Sequence, residues 1–421
     1  MLLDRFCFFV IFFAWLGVEF TTTTGDDKMP LRLQNGTTTQ ARLIGLRSDR
    51  VIVSQRDSKP TEVPLEEILS LGNPTDQPEF DQIVFRNGSV LVAIVKSVGL
   101  EKIQIESRVW NNKFIPTHLV KGIVFQPLST VVQRQIEIDG ILKSTHSKVQ
   151  LRLDNNDTVQ GRLDQSNSIE QTKSSGGIFF EINGQSTTVA IGKTRSITFT
   201  AVSGKENVVK DPDLDPFELG LSDGTLLIYE SSNVTADSVS LALTSRFELK
   251  ADAMIRGKSF WSRVCYFRPS SKSIRFLSDE KPFRIVDSKT ELNWKTRFNR
   301  SVIGGRLIVG NLKTTKGIGT HAESQVIYLI RKNDKTFRCS VGIDPSASKF
   351  GEALCRVVLL NKESQWVPYL ESFTVSAGGK AKEMTIDVSS YRAIGLVTQN
   401  ANHGTVGDRV NWMDARIVSV K

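Results

Sequence analysis

The chain has 421 residues, with 54 Lys and Arg against 45 Asp and Glu, a net charge of +9, and 39% hydrophobic residues. That apolar share excludes a globally disordered chain, and the length exceeds one ordinary domain. The basic excess is scattered, with nothing denser than pairs such as Arg331-Lys332, so a solvated basic surface is expected and a nucleic-acid binder is not.

The first element is an export signal. Arg5 precedes an uncharged apolar run from Phe6 to Val18, long enough for the core of a signal peptide. It is short for a membrane span of about 20 residues. Residues 1–20 are read as the signal. An uncleaved anchor is the alternative, because Asp4 dilutes the basic end and no A-x-A site follows. The expected location is therefore outside the cell or in the envelope or periplasm. Membrane contact is expected only if the segment stays attached.

Residues 27–75, 80–127, 146–202 and 214–265 read as four degenerate repeats. Each opens with a strand, a polar turn and a second strand: Leu31 to Gly36 then Ala41 to Ile44, Ile83 to Gly88 then Val90 to Val95, Leu151 to Asp157 then Val159 to Leu163, Phe217 to Gly224 then Leu226 to Tyr229. Alternation puts Leu31 and Leu33 on one face, and Gly at the turn tolerates positive φ, so each pair reads as a hairpin. By pattern the units resemble small barrels of the Sm and SH3 kind. Helical periodicity is nearly absent.

The turns also carry N-x-[ST] sequons at Asn35, Asn87, Asn156, Asn233 and Asn299, readable as turn chemistry or as glycosylation acceptors. Linkers are expected at Gly72 to Pro78, Leu128 to Ser147 and Ser203 to Pro216. The last carries Asp211, Asp213 and Asp215. Pro212 and Pro216 interrupt them, so a solvated linker is favoured over a calcium loop.

Residues 271–421 read as a sandwich of many short strands. In Phe337 to Ile343 every second residue is apolar, the pattern of one packed and one wet face. This region resembles the carbohydrate-binding-module family NPCBM. The match is carried by Phe276-Leu277-Ser278-Asp279, Asn299-Arg300-Ser301-Val302, Lys316-Gly317-Ile318-Gly319-Thr320-His321-Ala322-Glu323-Ser324, Val341-Gly342-Ile343-Asp344 and Val406-Gly407-Asp408-Arg409-Val410-Asn411-Trp412-Met413-Asp414-Ala415-Arg416.

The resemblance covers about a third of the chain and is to the exported, planctomycete-like type. It implies a jelly-roll (galactose-binding-like) β-sandwich, often appended to glycoside hydrolases and binding glycans, some of them galactose-containing. Two phrases depart from the family: Asn299 stands before Arg300 where Asp is usual, and Asp408-Arg409-Val410-Asn411-Trp412 replaces Asp-His-Ala-Asp-Trp.

The expected fold is thus all-β: a C-terminal sandwich preceded by repeated small β-barrel-like units. A sugar site needs an aromatic face and hydrogen-bonding side chains. Trp412, His321, Glu323, Asp408, Asn411, Asp414 and Arg416 supply those types. Against this, Trp412 also reads as core packing, His321 as a loop anchor, and Asp344 and Asp414 as turn ties. Trp366 and Tyr369 are alternative platforms.

No catalytic motif occurs, and neither Glu66-Glu67 nor Asp211 to Asp215 looks like a catalytic pair, so no enzyme is expected. No cofactor is expected, and a structural calcium ion stays open. Cys339 and Cys355 fall in neighbouring expected strands, readable as a disulfide or as two buried thiols. The partner expected is a glycan or polysaccharide and no nucleic acid. The alternative is a structural or adhesion protein working through protein contacts.

Overall fold

Each repeat begins where an Asx side chain folds the chain back on itself. The side-chain oxygens of Asn35, Asn87, Asn155 and Asp223 accept from the backbone N–H groups of Thr37, Ser89, Asp157 and Thr225, at 2.8–3.0 Å. The next residue takes positive φ in all four turns: Gly36, Gly88, Asn156 and Gly224. Asn is the residue best able to replace Gly there.

The computed structural model describes residues 28–55, 59–163, 177–200, 216–269, 271–289, 294–369, 371–401 and 406–419. The apolar run 6–18 and the Asp211 to Asp215 segment lie outside them.

Around these turns the four units share a first strand paired with both the second and the last, and the fourth adds a short hairpin, Met254–Ile255 with Lys258–Ser259. In the first, Met29–Leu33 pairs Thr38–Leu46 on one side and the last strand, Ile68–Gly72, on the other. Arg50–Ser54 and Thr61–Pro64 extend the sheet, and the 3-10 turn Leu65–Glu67 leads into the last strand. Equivalent 3-10 turns precede the last strands Val120–Val124, Thr194–Thr198 and Val264–Arg268.

The fourth strand of the first unit does not pair with the fifth, so the unit curls without closing as a barrel. Its free edge is covered by another unit instead. The last strand of the first unit pairs with that of the fourth, Leu71 opposite Phe267. The last strands of the second and third units pair likewise, Ile123 opposite Ile197.

Two glycines make these close approaches feasible. A Cβ on Gly72, at φ +74°, would lie 2.0 Å from the Cys265 carbonyl oxygen, and one on Gly122 would lie 2.5 Å from that of Ile197. The hydrophobic centres of the units merge into one core that includes Leu31, Ile83, Leu151 and Leu219. The fourth unit runs on through Phe267 and Arg268, beyond the expected end at 265.

The segment expected as a linker from Leu128 to Ser147 holds a helix, Val131–Lys143. Thr130 caps it, accepting from the Gln133 N–H. Ile138 and Ile141 pack on Val84, Val90 and Val124 of the second unit. From the same helix, Asp139 pairs with Arg300 of the sandwich at 3.1 Å.

The C-terminal third is a two-sheet sandwich. One sheet is ordered Arg297–Phe298, Gly317–His321, Arg409–Ser419, Asp334–Ile343, Lys382–Asp387, with Ile274–Phe276 also on Arg409–Ser419. The other runs Arg284–Val286, Ser324–Leu329, Ala393–Asn400, Glu352–Leu360, Trp366–Pro368, with Phe373–Ser376 also on Glu352–Leu360. Phe337, Val341, Val357, Leu359, Ile394, Leu396, Val410 and Trp412 fill the space between them. Cys339 and Cys355 are both buried and free, on strands of opposite sheets. Among the described residues no helix is long and apolar enough to cross a membrane.

Candidate functional site

The strand Arg409–Ser419 carries most of the expected site, and its two faces decide what each residue can do. Cross-strand partners point to the same side of a sheet. Ile318 is opposite Trp412 and Thr320 opposite Val410, and these face the core. Gly319 opposite Asn411 and His321 opposite Arg409 face outward.

Trp412 is fully buried between the sheets, its indole N–H donating to the Thr398 hydroxyl at 3.2 Å. It offers no ring face to a ligand, so it is a core residue and not the expected stacking platform.

Beyond Trp412 the strand bulges. Asp414 takes φ +49°, and the register against Asp334–Ile343 shifts there. The extra residue returns Ala415 and Ile417 to the core and turns Asp414 and Arg416 toward the repeats. Asp414 accepts from Arg268 at 3.0 Å and from the Thr314 hydroxyl at 2.6 Å. The Arg416 guanidinium donates to the Asp414 and Gln34 carbonyls. Both side chains are sealed in the seam between repeats and sandwich, so neither is available to a sugar.

Glu218 completes that seam. It accepts from Thr315 at 2.6 Å and from the Tyr266 hydroxyl, and it lies 3.4 Å from the Lys316 ammonium. Burial opposes its charge, but Lys316 and Arg268 outweigh burial and hold the carboxyl at about 2. A neighbouring cavity of about 210 Å³ is lined by Arg134, Glu218, Arg300, Arg306 and Lys316. Its cations are engaged: Arg306 with Asp76 at 2.5 Å, Arg300 with Asp139, Lys316 with Glu218. Arg134 donates to the Leu128 and Ser129 carbonyls.

The remaining expected residues gather at the end of the sandwich where His321 closes its strand and Arg409 opens the next one beside it. Trp294 lies against both. Its ring stacks on the His321 imidazole, centroids 5.2 Å apart at 8°, and the Arg409 guanidinium sits 5.1 Å from its centroid. Arg409 also donates to the Ser346 carbonyl at 2.8 Å. Burial, with Arg409 beside it, lowers the His321 pKa and keeps the ring neutral near pH 7.

Glu323 is exposed and accepts from the Asn400 N–H at 3.0 Å. Asp408 is buried; one carboxylate oxygen accepts from the Glu352 N–H at 3.2 Å, and the other has no partner among the described residues. Burial first, then the Glu352 and Glu323 charges, raise its pKa to about 6. Asn411 is buried behind this end, donating to Asp344 at 2.7 Å and to the Ile308 carbonyl at 3.0 Å. That places it as a brace for the Asp344 turn.

Of the seven residues, His321, Glu323 and Asp408 share this rim, Asn411 supports it, and Trp412, Asp414 and Arg416 do not reach it. Sequence reasoning missed Trp294 and Arg409. Trp294 is the one large aromatic in the polar stretch from Lys289 to Arg297. Arg409 registered only as a departure from the family phrase. Trp366 is 44% exposed and Tyr369 37%, on and beside an edge strand of the other sheet.

Residues 276–418 match the model of the NPCBM/NEW2 domain family. Among solved structures, the CBM51 module of Clostridium perfringens GH95, in complex with methyl-galactose, is 18% identical at TM-score 0.31, covering 34% of this chain and 99% of that one. The CBM51-2 and INT domains of Clostridium perfringens ZmpB, with GlcNAc, are 18% identical at TM-score 0.31, covering 45% of this chain and 40% of that one. The tandem CBM51 modules of a Streptococcus pneumoniae family 98 glycoside hydrolase are 12% identical at TM-score 0.30, covering 67% and 91%. No curated protein matches the sequence.

Proposed function

We propose that this chain is an exported, non-catalytic carbohydrate-binding protein, and that the rim formed by Trp294, His321, Arg409 and Glu323 is where its sandwich meets a glycan. The observation that carries this reading is that, within the span of the NPCBM/NEW2 match, an indole, a guanidinium and an exposed carboxylate converge at this rim. An indole edge or face supplies apolar contact for a sugar ring, and Arg409 and Glu323 supply a donor and an acceptor for hydroxyls. The apolar run Phe6 to Val18 supports export.

The test is a glycan array probed with the chain lacking residues 1–20, weighted toward galactose-containing glycans. Binding that is lost in Trp294→Ala and Arg409→Ala, with circular dichroism unchanged, is the expected result. Silence across the array, with crosslinking that recovers a protein partner, would replace this reading by an adhesion role.

A further inference from the structure

A pocket of about 410 Å³ opens between the second and third repeats, far along the chain from the sandwich. That volume is within the usual span of small-ligand sites. Its lining includes Arg86, His118, Lys148 and Arg162, and no Asp or Glu. The second unit supplies Arg86 and His118, the strand entry after the helix supplies Lys148, and the third unit supplies Arg162. Gly161, opposite Val149, lets the neighbouring strand approach closely: a Cβ there would lie 2.2 Å from the Glu181 carbonyl oxygen.

Three cations of this lining, Arg86, Lys148 and Arg162, carry no carboxylate partner among the described residues. Arg86 spends its guanidinium on two neutral acceptors, the His118 and Thr200 carbonyls, each at 2.7 Å. Lys121, close enough for Arg86 to depress its pKa further after burial has done so, donates to the Ser144 carbonyl. Among the described residues, none of Arg86, Lys121, Lys148 and Arg162 forms an ion pair with a carboxylate. Glu181 is the cross-strand neighbour of Arg162 and still makes no such pair. A half-buried cation without a counter-charge is costly to keep, and an oxyanion brought to it gains charge-assisted hydrogen bonds.

We propose that this pocket is a separate binding site for the carboxylate or sulfate group of an acidic polysaccharide. The cations converge on one concavity and do not track along a groove. Phe199, the one aromatic in the lining, is buried and offers no face for base stacking. Leu100, 46% exposed at the rim, provides apolar contact for a sugar ring. These features favour a charged glycan over a nucleic acid.

The full chain should be titrated calorimetrically with polygalacturonate, dextran sulfate, neutral dextran and single-stranded DNA. Binding is expected for polygalacturonate, dextran sulfate or both, weakening as salt rises, and not for neutral dextran. The two arms tell a carboxylate site from a sulfate site. Lys148 and Arg162 are exposed, so Lys148→Gln with Arg162→Gln leaves the fold intact. Losing both should weaken binding by about tenfold for each cation. Arg86→Gln should add to this if circular dichroism shows it folded.

Undiminished affinity in the double variant, no binding of either acidic polymer, or tighter binding of DNA would each overturn the proposal. Trp294→Ala should leave this affinity unchanged. A loss there, with the double variant unaffected, would move acidic-polymer binding to the sandwich rim. The repeat pocket and the rim therefore stand or fall separately.

Discussion

Arg268 and Asp414 belong to different halves of the chain, yet their side chains meet at 3.0 Å and each is 3% exposed. Around them Tyr266, Thr314, Thr315 and Glu218 satisfy most of the remaining donors and acceptors. The repeats are thus locked to the sandwich through desolvated charge, and they do not hang from it as a loose stalk.

Breaking one partner of this network leaves the other charged and buried. Arg268→Ala is expected to cost about 3–5 kcal/mol, measured by urea unfolding at pH 7. Arg268→Met combined with Asp414→Leu should cost much less than the sum of the single changes. Additivity of the two would mean that the pair is not coupled.

The same network sets an acid limit. Glu218 is held at about 2, below its ordinary value. A depressed carboxyl contributes stability that is complete above its unfolded pKa of about 4.5 and is lost as pH falls toward 2. Urea midpoints taken from pH 6 to pH 2.5 should fall steeply below pH 4.5, and less steeply in Glu218→Gln. Asp408 acts in the opposite sense. Raised to about 6, it costs stability as pH rises from about 4 to 6, so Asp408→Asn should gain stability at pH 7.5 and little at pH 4.

Two tryptophans of the sandwich should behave differently. Trp412→Ala opens a hole in the sandwich core and is expected to cost about 3–5 kcal/mol. Trp294, half-buried on the surface of His321, should cost under about 1.5 kcal/mol when cut to Ala. Thermal melts of both variants would show it, and a greater loss in Trp294→Ala would contradict the placement of these rings.

Gly72 tests the seam between the first and fourth repeats. Gly184 and Gly257 share its positive φ, with nothing within 4 Å of an added Cβ. Changing either to Ala should cost about 1 kcal/mol from backbone strain alone. Gly72→Ala adds a clash with the Cys265 carbonyl and should cost several times as much. Equal melting temperatures for the three variants would remove the close strand approach as the reason for this glycine.

The sequence made the repeats legible because one turn recurs four times with the same Asx and positive-φ chemistry. It hid the helix Val131–Lys143 because the buried side of that helix includes Arg134, Gln135 and Glu137 while Ile136 stays exposed. Arg134 and Gln135 line the charged cavity at the seam and Glu137 faces Arg152 and Arg195 of the third unit, which erases apolar periodicity. It misplaced Asp414 and Arg416 for a related reason. Val410, Trp412, Ala415 and Ile417 break alternation by one residue, and that skip was the available sign of the bulge at Asp414. No local pattern could reveal that Arg268 waits on the far side.

The pairing of Ile68–Gly72 with Val264–Arg268 also fixes an order of events during synthesis. The first unit emerges early but keeps a bare strand edge until the last strand of the fourth has left the ribosome. Such distant closure slows folding and leaves a sticky edge in the interim. The array therefore cannot snap shut until Val264–Arg268 is present, and a chain stopped before that strand would keep its first unit open.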